Sequence, residues 1–139
     1  MRSRILGVLA VLALVVLLVG VAYLRYGSAS NAIAYLNGEY IVADQRIENL
    51  GLVEPDKQFS VTFNLTNVHS KPIKLVGANC SCSCILPPSM PLELAGGETT
   101  PVTFNFHSPE TAQHFEQLIE LYLDGSMPSV HLKITGATK

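Results

Sequence analysis

Two kinds of hydrophobic pattern divide the chain. From Ile5 to Leu24 the residues are Leu, Val, Ala, Ile and Gly with one tyrosine and no charge, whereas beyond residue 39 apolar residues come in short bursts that alternate with polar ones. The first pattern predicts a helix. At 1.5 Å rise per residue it is long enough for the ~30 Å hydrocarbon core of a bilayer, where the backbone must satisfy its own hydrogen bonds. The second predicts strands. Phe59, Val61, Phe63 and Leu65 alternate with Ser60, Thr62, Asn64 and Thr66, the period of a strand with one face buried. Val102, Phe104 and Phe106 repeat the pattern against Thr103, Asn105 and His107, as do Val130, Leu132 and Ile134 against His131, Lys133 and Thr135. Weaker runs are Tyr40–Ile47, Pro72–Ala78, Pro91–Ala95 and Phe115–Asp124.

Turn formers fill the gaps: Glu54-Pro55-Asp56-Lys57, His69-Ser70-Lys71-Pro72, Pro87-Pro88-Ser89, Ala95-Gly96-Gly97-Glu98 and Asp124-Gly125-Ser126-Met127-Pro128. Beyond the apolar segment no stretch carries a helical stripe wide enough to bury. The expected architecture is all-β, an immunoglobulin-like antiparallel β-sandwich of about seven strands, preceded by one N-terminal transmembrane helix. The domains read as an anchor over 1–25, a linker over 26–38 and a sandwich over 39–139. There is no tryptophan and no pair of widely spaced cysteines, so an antibody-type disulfide core is absent.

Flanking charges orient the anchor. Arg2, Arg4 and the terminal amine precede it and Arg25 alone follows closely, a bias that keeps the N-terminus cytoplasmic and exports the rest. Tyr23 and Tyr26 suit the far interface. Ser28-Ala29-Ser30 also offers small residues for signal-peptide cleavage, but the apolar run exceeds the ~7–15 residues of a cleaved segment. The expectation is a retained, single-pass signal-anchor at the cell membrane with a periplasmic C-terminal domain.

Charge narrows the partners. Of nine Lys and Arg, setting aside Arg2, Arg4 and Arg25 leaves six against eleven Asp and Glu, so the remainder carries about −5. An acidic domain without a basic stripe is not built for nucleic acid. The expected partners are the membrane, through the helix, and a protein of the envelope. No Gly-x-Ser-x-Gly elbow, His-Glu-x-x-His pair or phosphate-cradling glycine loop is present, so no enzyme is predicted and no catalytic residue assigned. Glu116 and Glu120 share a strand face by parity and read as solvated side chains.

The one reactive cluster is Cys80, Cys82 and Cys84, which holds every cysteine of the chain. In an oxidising compartment one pair among them is expected to form a disulfide, leaving one thiol over. Extended backbone would set the Cα atoms of successive cysteines ~6.7 Å apart, at the edge of the disulfide range, while a turn at Ser81-Cys82-Ser83 would let the outer pair approach. The sharper alternative is a soft-metal or thiol-redox site. Thiolates select copper(I) or zinc, and the nearest candidates for further ligands are His107 and His114, on a loop expected at the same end of the sandwich. His69 is expected at the opposite end and His131 on an outward strand face. No cofactor is expected on the first reading, copper or zinc on the second.

Several of these segments together resemble a known family. Leu50-Gly51, Phe59 to Asn67 with its F-x-x-x-N ending, Lys71-Pro72-Ile73 leading to Asn79 and a Cys-x-Cys turn, Leu94 to Glu98, and Ile134-Thr135-Gly136 resemble the bacterial domain-of-unknown-function 1573 family. The resemblance implies a Hydin-like immunoglobulin-type sandwich, exported or membrane-tethered, over nearly the whole region beyond the anchor. It departs in a third cysteine and in the absence of proline from Ala95-Gly96-Gly97-Glu98. The family's role is itself unassigned, so it implies no activity.

Overall fold

A computed structural model describes residues 2–139. Met1 lies outside the described residues, as do the side chains of residues 2–5, the flanking Arg2 and Arg4 among them, and of Tyr26. Helix α1 runs from Arg2 to Tyr26. Its Leu6–Arg25 portion is the one helix among the described residues long and apolar enough to cross a membrane. A second helix, α2 (Ala29–Leu36), occupies what the sequence suggested was a linker. Ser28 caps it, its Oγ accepting from the Asn31 amide at 3.1 Å. Eight residues are too few to hold a helix unaided, and α2 is seated by burying Ala34.

Among the described residues the sandwich has nine strands: β1 (Ile41–Ala43), β2 (Ile47–Val53), β3 (Gln58–Asn67), β4 (Ile73–Cys80), β5 (Ile85–Leu86), β6 (Leu92–Leu94), β7 (Thr99–His107), β8 (His114–Leu123) and β9 (Val130–Thr138). One sheet has the order β1-β3-β7-β5, the other β2-β9-β8-β4-β6. The expected Tyr40–Ile47 strand is divided, because the chain leaves the first sheet after Ala43 and enters the second at Ile47. There β2 pairs in parallel with β9, the exception to an otherwise antiparallel fold, and its register shifts between Asn49 and Leu52. That irregularity breaks the period-2 pattern and hides β2 from a reading by alternation.

Long central pairs carry the core. β3 and β7 are in register from Gln58 opposite His107 to Thr66 opposite Thr99, and β8 and β9 from His114 opposite Ala137 to Leu121 opposite Val130. Val61, Phe63, Leu65, Val102, Phe104 and Phe106 from one sheet meet Leu75, Ile119, Leu121, Leu132 and Ile134 from the other. Phe63 and Phe104 are fully buried and meet edge to face, with centroids 6.0 Å apart. The outward side of β3 and β7 is a polar ladder in which Thr62 and Thr103 hydroxyls lie 2.8 Å apart and Ser60 donates to Asn105. Pro101 sits opposite Asn64, on a stretch of β7 that β5 does not reach, and offers no amide to a further strand.

The α2 end of the sandwich is tied by Asn67, the last residue of the F-x-x-x-N ending. Its buried side-chain amide donates to the carbonyls of Lys71 (2.8 Å) and Leu94 (3.1 Å), and its Oδ1 accepts from the His69 amide (2.9 Å). Its backbone binds Gly97 and Glu98. One side chain thus joins the β3–β4 and β6–β7 turns. A Cβ on Gly96 would stand 2.2 Å from the Ser70 carbonyl oxygen, which explains the glycine. At the other end buried Ser108 plays the matching part, its Oγ accepting from the Lys57 amide and donating to the Glu54 carbonyl.

Candidate functional site: the cysteine crossover

The cysteines lie where the chain passes from one sheet to the other. Cys80 closes β4 opposite Ile119 of β8, on the core side with Ala78. Ser81 then fastens the turn to β8: its amide donates to the Leu118 carbonyl (2.9 Å), its Oγ accepts from the Leu118 amide (2.9 Å) and donates to Gln117 Oε1 (2.6 Å). Three residues later the Cys84 carbonyl accepts from the His107 amide of β7 at 2.8 Å, and Ile85 pairs with Phe106. Residues 80–84 are therefore a strap between two sheets that pack ~10 Å apart.

This placement decides the pairing. Cys80 is held on one sheet and Cys84 on the other, so the outer pair that a simple turn would have joined is kept apart. The disulfide links Cys82 to Cys84, with Cα atoms 5.1 Å apart, and Cys80 is left as a thiol. All three cysteines pack partly buried against the rim of the core. Burial pushes the Cys80 thiol above its ordinary pKa, which keeps it protonated and a weak nucleophile at neutral pH.

Of the histidines named as further ligands, His107 adjoins the strap through its backbone alone. Its ring is on the outer side of β7 and lies 2.8 Å from Asp56. His114 begins β8 opposite Ala137 and lines a shallow outer depression with Asn49 and Gly51. The two rings thus face outward from different sheets while the sulfurs lie between them. Among the described residues no group of three or more His, Cys, Asp or Glu side chains converges as a metal site. His69 is at the α2 end, stacked on Tyr40 with centroids 4.4 Å apart, and His131 is on the outward face of β9, 3.4 Å from Ser129 Oγ.

The outward acids on β8 have separate partners. Lys133 donates to Glu116 at 2.8 Å. Glu120 accepts from Ser129 (2.8 Å) and Tyr122 (3.1 Å), and these hydrogen bonds hold its carboxyl below the usual range. One feature near the strap left no mark in the sequence. β6 pairs β4 only at Ile73–Leu75, so from Val76 to Cys80 that edge of the sheet has no strand partner among the described residues. Val76 marks the spot, 47% exposed within the register shift between Leu75 and Gly77.

Several solved structures share the fold of the sandwich. The ASH/PapD-like domain 7 of human CEP192 superposes with a TM-score of 0.55 at 10% identity, over 72% of this chain and 85% of that one. A protein of unknown function from Porphyromonas gingivalis W83 gives 0.57 at 12% identity, over 70% of this chain and 46% of that one. WR4, a C. elegans MSP family member, gives 0.50 at 12%, over 70% and 98%. At such identities the likeness is one of fold, an immunoglobulin-like β-sandwich. No curated protein matches the chain in sequence. The family model "Protein of unknown function (DUF1573)" matches residues 41–138, from the first residue of β1 to the last of β9. With the sandwich, its Asn67 tie and its cysteine strap inside that match, the chain belongs to the DUF1573 family.

Proposed function

We propose that the protein is a membrane-anchored, non-enzymatic interaction module, its N-terminus cytoplasmic and its sandwich periplasmic, where it binds a protein partner of the envelope. The observation that carries the reading is the contrast between α1 and the rest. Its apolar side chains are uncovered along its length, with Leu6, Val16 and Leu24 each more than 60% exposed, while the sandwich closes its core without them. A helix so exposed needs an apolar solvent, and a bilayer is one. The unpaired Val76–Cys80 edge supports the interaction part, since a sheet edge recruits an extended segment through backbone hydrogen bonds alone. The acidic surface argues against nucleic acid.

Carbonate extraction with protease protection tests the reading on the full chain. The protein is expected to stay with the membrane and its sandwich to be cleaved only by protease added outside. A soluble product beginning near Asn31 would replace the anchor with a cleaved leader.

A second reading is favoured by one observation, a free thiol next to a disulfide on a single strap. On it the protein is a tethered thiol-redox or soft-metal protein, with Cys80, Cys82 and Cys84 as copper or zinc ligands and His107 or His114 swung in from the outer faces. Native mass spectrometry with a count of thiols and bound metal separates the two. Stoichiometric copper or zinc, lost on Cys80→Ser, would make the second the leading account.

A further inference from the structure

Helix α2 is separated from α1 by Gly27 and Ser28 alone. Two residues span at most ~7 Å, about the depth of the headgroup layer outside the ~30 Å core. If α1 spans a bilayer, α2 therefore starts inside that layer. Its two sides differ in a way that fits the position. One side faces the sandwich: the Tyr35 ring lies 4.8 Å from His69, which in turn stacks on Tyr40, and the neighbouring Ala34 is buried. The other carries Ala29, Ile33 and Leu36 at i, i+4 and i+7, a single apolar stripe. Ile33 is 59% exposed and Leu36 82%. No residue of α2 is charged. It lacks the basic polar face by which a free-standing helix holds to the interface plane, but it is tethered at the mouth of a membrane span, so its apolar side has only to rest there.

We propose that α2 is an interfacial helix whose Ala29–Ile33–Leu36 stripe rests in the lipid headgroup and acyl boundary on the side where α1 emerges. The proposal rests on α1 being a membrane span and adds to it the attitude of the domain. Through the Tyr35, His69 and Tyr40 rings, α2 holds the Val68–Pro72 turn, so the end tied by Asn67 lies against the lipid. β3 and β4 then carry the cysteine strap about 25–30 Å away from it, at the strand rise of ~3.3 Å per residue. Such an arrangement limits the swing of the sandwich and presents the strap and the Val76–Cys80 edge outward.

The chain contains no tryptophan, so single-tryptophan variants of the full protein report one position each. Leu36→Trp and Ile33→Trp probe α2, Val15→Trp probes α1, and Glu110→Trp probes an exposed loop at the strap end. Each is reconstituted in phosphatidylcholine vesicles carrying bromine either near the carboxyl end or near the methyl end of the acyl chains. Expected are blue-shifted emission and preferential loss of intensity to the shallow bromines for both α2 variants, loss to the deep bromines for Val15→Trp, and no loss for Glu110→Trp. If Val15→Trp is quenched while both α2 variants emit like Glu110→Trp, α2 stands off the membrane and the proposal fails although the anchor holds. If Val15→Trp is also unquenched, the membrane span itself is refuted and the interfacial helix falls with it.

Discussion

Asn67 and Cys80 are both partly or wholly buried groups that carry polar chemistry, and the difference between them sets two predictions. Asn67 is satisfied from three directions, so Asn67→Ala removes a hydrogen-bond partner from the His69 amide and from the Lys71 and Leu94 carbonyls. An unsatisfied buried group costs ~1–3 kcal/mol, so the variant is expected to lose at least ~2 kcal/mol. In a domain of about 100 residues that is roughly 10 °C of Tm; a change of a degree or two by calorimetry would mean that water takes over the bonds. Cys80 is a neutral thiol whose pKa burial raises. Its protonated form is the one the fold favours, so its contribution is complete below the ordinary thiol value. That contribution is lost as pH rises through the higher folded value, from about pH 8.5 upward. Denaturant midpoints measured across this window are expected to fall for the parent and to fall less for Cys80→Ser.

Among the elements, the paired strands and the strap differ in what they contribute. β3 and β7 bury Phe63 and Phe104 completely, and truncating either to Ala is expected to cost ~3–5 kcal/mol, a large part of a small domain's ~5–15. Thermal unfolding of Phe63→Ala and Phe104→Ala checks it, since small shifts would place the strand phase in error. The strap is expected to matter little to stability, because its disulfide closes a loop of three residues and removes little freedom from the unfolded chain. Alkylation before and after reduction is expected to find one reactive thiol, then three, with the denaturant midpoint nearly unchanged on reduction. Where α2 and β2 escaped the sequence reading, the cause is the same in kind. Eight residues make too short a helical window, and the register shift in β2 scrambles its alternation.

The whole molecule divides into a helix without a core and a core without that helix. Among the described residues none of those clustered in the hydrophobic core comes from α1, so a chain beginning at Ser28, left with the short α2 stripe alone, is expected to leave the membrane fraction. Its cooperative unfolding is expected at the same denaturant midpoint as the full chain in detergent. A broad or lowered transition would show that α1 also braces the sandwich.

By itself the sequence determined what depends on each residue's own solvent preference and its neighbours in the chain. The charge-free run of Ile5–Leu24 selects a helix, and the alternations at Phe59–Leu65, Val102–Phe106 and Val130–Ile134 assign inner and outer faces, because burial repeats with the period of the local backbone. Turn formers marked the gaps, and the F-x-x-x-N ending marked Asn67 without revealing its bonds. Only the tertiary structure decided what depends on distances between segments remote in sequence. It set Cys82 with Cys84 by fastening Ser81 to β8 and Cys84 to β7, and turned His107 and His114 to outer faces of different sheets. Among the described residues it left the Val76–Cys80 edge opposite β8 without a strand neighbour, and it gave α2 a side to bury. Each of these follows from how two sheets meet, and no local pattern records that meeting.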